Sequence, residues 1–254
     1  MKTYCVQLDI AWENKPANHA KVKSLLAQAA PVPGSLVILP ELFSTGFTMN
    51  VAGLAEGAAK ESETFLSTTA QELGVFLLGG VINRDAAGRG LNQSVTFGPD
   101  GREVARYTKM QPFNLGEEGA HYAAGDEIVT FPCGGFVVSP LVCYDLRFPE
   151  LFRAAVRRDA QLFIVIACWP VKRIGHWITL LQARAIENQA YVIGVNRCGD
   201  DPQYRHNGHS LIVDPHGAIL ADAGEGEGVI SAEVDVATVV AWRKEFPALQ
   251  DMRR

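Results

Sequence analysis

Two stretches of this chain repeat the same order of signals, and that repetition limits the fold more than any other feature. VINR at 81–84 is followed by NQS at 92–94 and GPDG at 98–101; GVNR at 194–197 is followed by GHS at 208–210 and DPHG at 214–217. Asn83 and Asn196 lie 113 positions apart and Ser94 and Ser210 lie 116 apart, so three inserted residues reconcile the two stretches. Around them, short apolar runs alternate with helical spacing. Strands are expected at 4–9, 36–39, 75–81, 94–97 and 103–107, with helices at 18–30 (stopped by Pro31 and Pro33) and 62–73, where Ser62 is the expected N-cap. In the second half, strands at 136–142, 162–167 and 191–195 alternate with helices at 149–157 and 176–188, and a hairpin follows around DPHG. Two β-α-β-α-β-β halves of this kind predict an α/β fold: two sheets face to face with helices outside, a four-layer αββα sandwich formed by residues 1–254 as one domain.

Composition removes other classes. Of 254 residues 48% are hydrophobic and 20% charged, enough apolar surface for a full core. The 23 Lys plus Arg against 28 Asp plus Glu give −5 with no basic run, which argues against nucleic acid as a partner. Five cysteines without a CxxC pair (Cys5, Cys133, Cys143, Cys168, Cys198) read as reduced thiols. No window approaches the ~18 uncharged apolar residues of a membrane span, and MKTYCVQLDI reads as a strand rather than a leader. A cytoplasmic protein is the expectation.

In layered α/β folds chemistry gathers beyond the carboxyl ends of strands, and three reactive residues fall at such ends. Glu41 follows LVILP, Lys109 closes EVARYTK, and Cys143 sits between FVVSPLV and YDLRFPELFRAAV. Singly, a strand-end cysteine is an inert core thiol and Lys109 a surface lysine; together they outline a nucleophile, a base and a cation. A strand-to-helix turn would bring helix amides to the Cys143 sulfur and favour its thiolate. A competing reading places a metal at His206, His209, Asp214 and His216, although that cluster lies around a turn and lacks HExxH spacing.

LPELF (39–43), YTKMQPF (107–113) and LVCYDLRFPELFR (141–153) together resemble the three signature blocks of the carbon-nitrogen hydrolase, or nitrilase, superfamily. The resemblance spans almost the whole chain. It implies the αββα sandwich, a Glu-Lys-Cys triad on Glu41, Lys109 and Cys143, and a second glutamate for which Glu118 fits better than Glu117. With these residues an amide would be attacked by Cys143, with Glu41 as general base and with Lys109 and the Tyr144 backbone N–H holding the oxyanion. No metal or organic cofactor is implied. VCYDLRFPELFR with CWPVKRIGHW (168–177) and QARAIENQAYVIGVNR (182–197) is similar to the ω-amidase branch, which implies small ω-amido oxo-dicarboxylates such as 2-oxoglutaramate as substrates. Arg173 is the first candidate for the substrate carboxylate and Arg147 the second, the latter close enough in sequence to Asp145 and Glu150 to be a structural ion pair instead. Phe43, Phe47, Tyr122 and Trp169 are candidate pocket walls. The resemblance also suggests a homodimer or higher homo-oligomer, with the tail (237–254) and its VVAWRKEF segment at the interface. Alternatives are hydrolysis of N-carbamoyl amines or amino acids, and a catalytically silent binding module or thiol sensor on the same fold.

Overall fold

The computed structural model describes residues 1–253; Arg254, the last residue of the expected tail, lies outside the described residues. The first half contributes β1 (Lys2–Gln7), α1 (Lys15–Ala29), β2 (Leu36–Ile38), the short α2 (Val51–Leu54), α3 (Glu61–Leu73), β3 (Phe76–Arg84), β4 (Gly90–Phe97) and β5 (Glu103–Thr108). After the one-turn α4 (Glu118–His121) come β6 (Phe131–Cys133), β7 (Phe136–Val142), α5 (Pro149–Val156), β8 (Leu162–Ala167), α6 (Ile174–Asn188) and β9 (Tyr191–Asn196). A small ribbon, β10 (Cys198–Asp200) and β11 (Arg205–Asn207), precedes β12 (Leu211–Val213), β13 (Ile219–Asp222), β14 (Gly228–Glu233) and α7 (Val236–Glu245).

The strands form two six-stranded sheets, ordered β14-β1-β2-β3-β4-β5 and β13-β12-β9-β8-β7-β6. The repeat is real in three dimensions: β1, β2 and β3 run parallel and turn back through antiparallel β4, as β7, β8 and β9 run parallel and turn back through β12. Side chains alternate across the first sheet as a sandwich demands. Cys5, Leu36, Ile38 and Leu78 join a core shared with Leu141, Val165 and Ile193 of the second sheet, while Tyr4, Val6, Val37 and Leu77 face the other way, onto Val22 and Leu26 of α1 and Leu66 of α3. β8 is buried along its whole length, as a strand covered on both faces must be. In β7, Pro140 is tolerated because β6 pairs only with residues 136–138, so its missing N–H leaves no ladder bond unmade there. α6 buries Trp177, Leu181, Arg184, Ala185 and Asn188, a single helical stripe.

Local expectations shift in three places. α1 begins at Lys15, earlier than its apolar spacing shows, because the Asn14 side chain caps the Ala17 N–H at 3.1 Å. Ser62 is not a cap: Lys60 precedes α3 in the left-handed region, and the Ser62 hydroxyl donates to Ser44 at 3.0 Å. The first-half hairpin is longer than its apolar core, since Asn83 and Gln93 of β3 and β4 bond each other at 2.9 Å. The tail folds back on its own chain over α7, burying Val239, and Arg243 donates to the carbonyls of Ala160, Asn188 and Gln189. Among the described residues no helix is long and apolar enough to cross a membrane.

Candidate active site

Glu41, Lys109, Cys143 and Glu118 converge beyond the ends of β2, β5 and β7, where the two sheets meet. Glu41 stands in a tight turn after β2, and β3 passes so close that a Cβ on Gly80 would sit 2.3 Å from the Leu42 nitrogen. Glycine is required there for steric reasons. Lys109 is 2% exposed and its Nζ lies 3.1 Å from Glu41 Oε1 and 2.8 Å from Glu118 Oε2. Glu118 also accepts the Phe113 N–H at 2.6 Å; of the two neighbouring glutamates it is the one whose carboxylate reaches Lys109. Cys143 opens a five-residue 3₁₀ turn, Cys143–Arg147, with φ of 49°. That left-handed conformation is uncommon for a side chain with a Cβ, and it marks a tightly held elbow.

Charge in this cluster is set by burial and by partners. Burial alone would push Lys109 down, but the Glu118 and Glu41 carboxylates outweigh it and hold the ammonium well above its ordinary value. Cys143 behaves oppositely to expectation. Desolvation, reinforced by the Glu41 charge and opposed by Lys109, raises the thiol well above its ordinary value. The five-residue turn that follows is too short to act as a helix dipole, and the Glu41 charge adds to burial in favouring the neutral thiol.

A pocket of about 460 Å³, counted to its open mouth, leads from Cys143 and Glu41 to the surface. Phe47, Trp169, Arg147 and Arg173 line it, and Tyr144 closes one side with its ring edge-on to Phe113 and Phe148 at 5.1 and 5.3 Å. Arg147 makes no ion pair with Asp145 or Glu150; its guanidinium lies 4.8 Å over the Trp169 ring and 3.2 Å from His176 Nδ1. Arg173 lies 5.4 Å over the Phe113 ring. Neither guanidinium meets a carboxylate among the described residues. Burial and, to a smaller extent, the Arg173 charge pull Arg147 below the usual arginine value, as two unneutralised cations facing one space should.

Two expected pocket walls lie elsewhere. The backbone reverses at Leu42 (φ 45°), so Glu41 and Phe43 point to different sides, and Phe43 packs against His19 and Phe65 in the helix-facing core. Tyr122 is buried against Leu42, Val51 and Ile82, with its hydroxyl donating to the Thr48 carbonyl at 2.6 Å. The metal reading fails on placement: His209 pairs with Asp222, His216 lies tilted against Trp242 with ring centres 4.4 Å apart, and His206 faces Asp201. Among the described residues no three His, Cys, Asp or Glu side chains come together as a metal ion would need.

Sequence reasoning passed over three contributors. Asn92 Nδ2 donates to Glu41 at 2.7 Å and to Glu118 at 2.9 Å, bridging the two carboxylates beside Lys109. It lies in the NQS segment that marks the repeat, a signal read for architecture and not for chemistry. The Cys168 backbone N–H donates to Glu41 Oε2 at 2.8 Å, a main-chain contact with no sequence signature. Asp145, expected near Arg147, instead turns inward to Tyr107 at 2.8 Å.

Comparison with known proteins gives the family and the fold. The family model for carbon-nitrogen hydrolase matches residues 3–244. The chain is 34% identical to the 2-oxoglutaramate amidase of Bacillus subtilis over 98% of this chain and 96% of that one. It is 37% identical to the omega-amidase YafV of Yersinia enterocolitica, covering 99% and 96%. Among solved structures, the CN-hydrolase superfamily protein XC1258 of Xanthomonas campestris superposes with a TM-score of 0.93 at 34% identity, over 100% of this chain and 97% of that one.

Proposed function

The chain belongs to the carbon-nitrogen hydrolase family, and from that premise we propose that it hydrolyses the terminal amide of short ω-amido oxo-dicarboxylates such as 2-oxoglutaramate, releasing ammonia. The observation that carries the substrate class is the pair Arg147 and Arg173, two guanidiniums without carboxylate partners among the described residues, lining the pocket that ends at Cys143. Such a pair suits a free carboxylate at one end of a substrate whose amide lies at the other. Relatives bearing the names 2-oxoglutaramate amidase and omega-amidase support the same reading.

In the proposed reaction, Cys143 adds to the amide carbon as its proton passes to Glu41. The raised thiol favours this coupled step over a standing thiolate, since the anion then forms only as the C–S bond does. Lys109 and the Tyr144 backbone N–H stabilise the tetrahedral oxyanion. Glu41 returns the proton to the nitrogen, ammonia departs and a thioester remains. Water, deprotonated by Glu41, then adds to the thioester; the acid leaves and the thiol is restored. Glu118 holds Lys109 in place through its 2.8 Å contact. Residues 1–254 act as one domain in a cytoplasmic homodimer or higher homo-oligomer, with the outer side of the tail at the interface, a reading supported by its exposed Val240 and Phe246 and tested by solution scattering.

The deciding assay is ammonia release from 2-oxoglutaramate, succinamate, glutamine, N-carbamoylputrescine and a simple nitrile, with Cys143→Ala alongside. Turnover of the first two, lost in the variant, is expected; turnover of the carbamoyl compound alone would move the substrate class.

A further inference from the structure

Asp145 is fully buried two residues after Cys143 and does not line the pocket. Its Oδ2 accepts the Val142 N–H at 2.9 Å and the Tyr107 hydroxyl at 2.8 Å, and its Oδ1 accepts the Gln111 N–H at 2.9 Å. Val142 is the residue before Cys143, while Tyr107 and Gln111 stand two residues to either side of Lys109. One carboxylate therefore ties the elbow that carries Cys143, at the end of a strand of the second sheet, to both flanks of Lys109, at the end of a strand of the first.

From this geometry we infer that Asp145 is a positioning residue that fixes Cys143 and Lys109 relative to each other across the two sheets. The inference rests on the proposed roles of those two residues as nucleophile and oxyanion partner. Burial raises the Asp145 carboxyl to about 7 against the opposing pull of its three donors and the Lys109 charge; an ionisable group is costly in such a place, and packing alone offers no reason to keep one. Three donors arriving from three chain positions do: only a carboxylate presents acceptor lone pairs on both oxygens. An asparagine would turn its NH₂ toward Gln111 on one side, or toward Val142 and Tyr107 on the other, and one tie would be replaced by two opposed donors. The left-handed backbone of Cys143 makes the same demand, because a strained residue stays in place only where its surroundings hold it.

The test uses the full-length Asp145→Asn and Tyr107→Phe variants. It reads kcat and KM on 2-oxoglutaramate, the rate of Cys143 alkylation by iodoacetamide followed by mass spectrometry, and thermal melting. For Asp145→Asn, kcat should fall about 100-fold with KM within about threefold, the scale of a misplaced reacting group, and alkylation of Cys143 should slow about tenfold. Tyr107→Phe, which keeps two of the three ties, should lower kcat about tenfold with the same KM split. Folded variants that keep wild-type kcat and alkylation would overturn the inference, as would losses fully restored by lowering the assay temperature. If Asp145→Asn does not fold, Tyr107→Phe decides by itself. A wild type without amide turnover would refute the proposed function, while the alkylation rates would still test the tie.

Discussion

Replacing Lys109 with methionine removes the one positive charge between two carboxylates that have no exposure of their own. The methionine fills nearly the same space, so the loss is electrostatic rather than a cavity. Breaking a buried ion pair by removing one partner costs about 3–5 kcal/mol. Asn92 still donates to both Glu41 and Glu118 after the substitution, and that places the expected loss near the lower end, about 3 kcal/mol. For a chain of this length each kcal/mol moves the melting temperature by about 2–4 °C, so Lys109→Met should melt about 6–12 °C below wild type. The pH dependence has a definite sign. Lys109 titrates above its ordinary 10.5 in the folded state, so its contribution is fully present below pH 10.5 and fades only as the pH climbs beyond that value toward the folded pKa. The gap between the two melting curves should be flat from pH 7 to 10. Turnover should fall at least about 10³-fold, because an oxyanion donor and the order of both glutamates go together. Circular-dichroism melting and ammonia release measure both. A variant melting within about 2 °C of wild type, with turnover within about threefold, would refute this account of the cluster.

Arg173→Ala and Arg147→Ala should each raise KM for 2-oxoglutaramate about 10- to 100-fold, the worth of one charge-assisted hydrogen bond; initial rates on the amide and on an uncharged analogue separate this from a general loss. Tyr122→Phe should leave KM unchanged and cost about 1 kcal/mol of stability through the lost Thr48 bond, since the ring lies behind the pocket wall; a large KM change would return Tyr122 to the substrate. Asn92→Ala should lower kcat while the protein stays folded, and wild-type kinetics in that variant would show that Lys109 and the Cys168 and Phe113 N–H groups order the glutamates without it. Glu63 is buried, which would raise it, yet hydrogen bonds from Arg106 and Asn83 bring it down to about 2. Its contribution is present above the ordinary 4.5 and lost as the pH falls from there toward 2, so Glu63→Gln should melt lower than wild type at pH 7 and converge with it near pH 2.

The alternation of the main strands and helices, the duplicated halves and the ends at which Glu41, Lys109 and Cys143 stand were legible in the letters, because each is a local signal, whereas β6, β14 and α7 carried no signal that was read. Apolar runs of strand length, Pro and Gly stops and a reactive residue just past a strand depend only on near neighbours in the chain. The direction of side chains around Glu41 was not legible. One left-handed residue, Leu42, sends Phe43 into the helix-facing core, and φ at a non-glycine is decided by what packs around it. Nor could local signals show that Asn92 bridges two glutamates, that a Cys168 main-chain N–H holds a third contact to Glu41, or that Asp145 joins two sheets. The upward shift of the Cys143 thiol was illegible for the same reason. A turn suggests nearby amides, but burial and a neighbouring carboxylate fix the thiol, and both arise only when distant strands meet. Sequence by itself determined which residues could do chemistry and where each sits along the chain; tertiary structure decided their distances, their charges and which aromatic rings face the pocket, because electrostatics and burial depend on what lies nearby in space, whatever the separation in sequence.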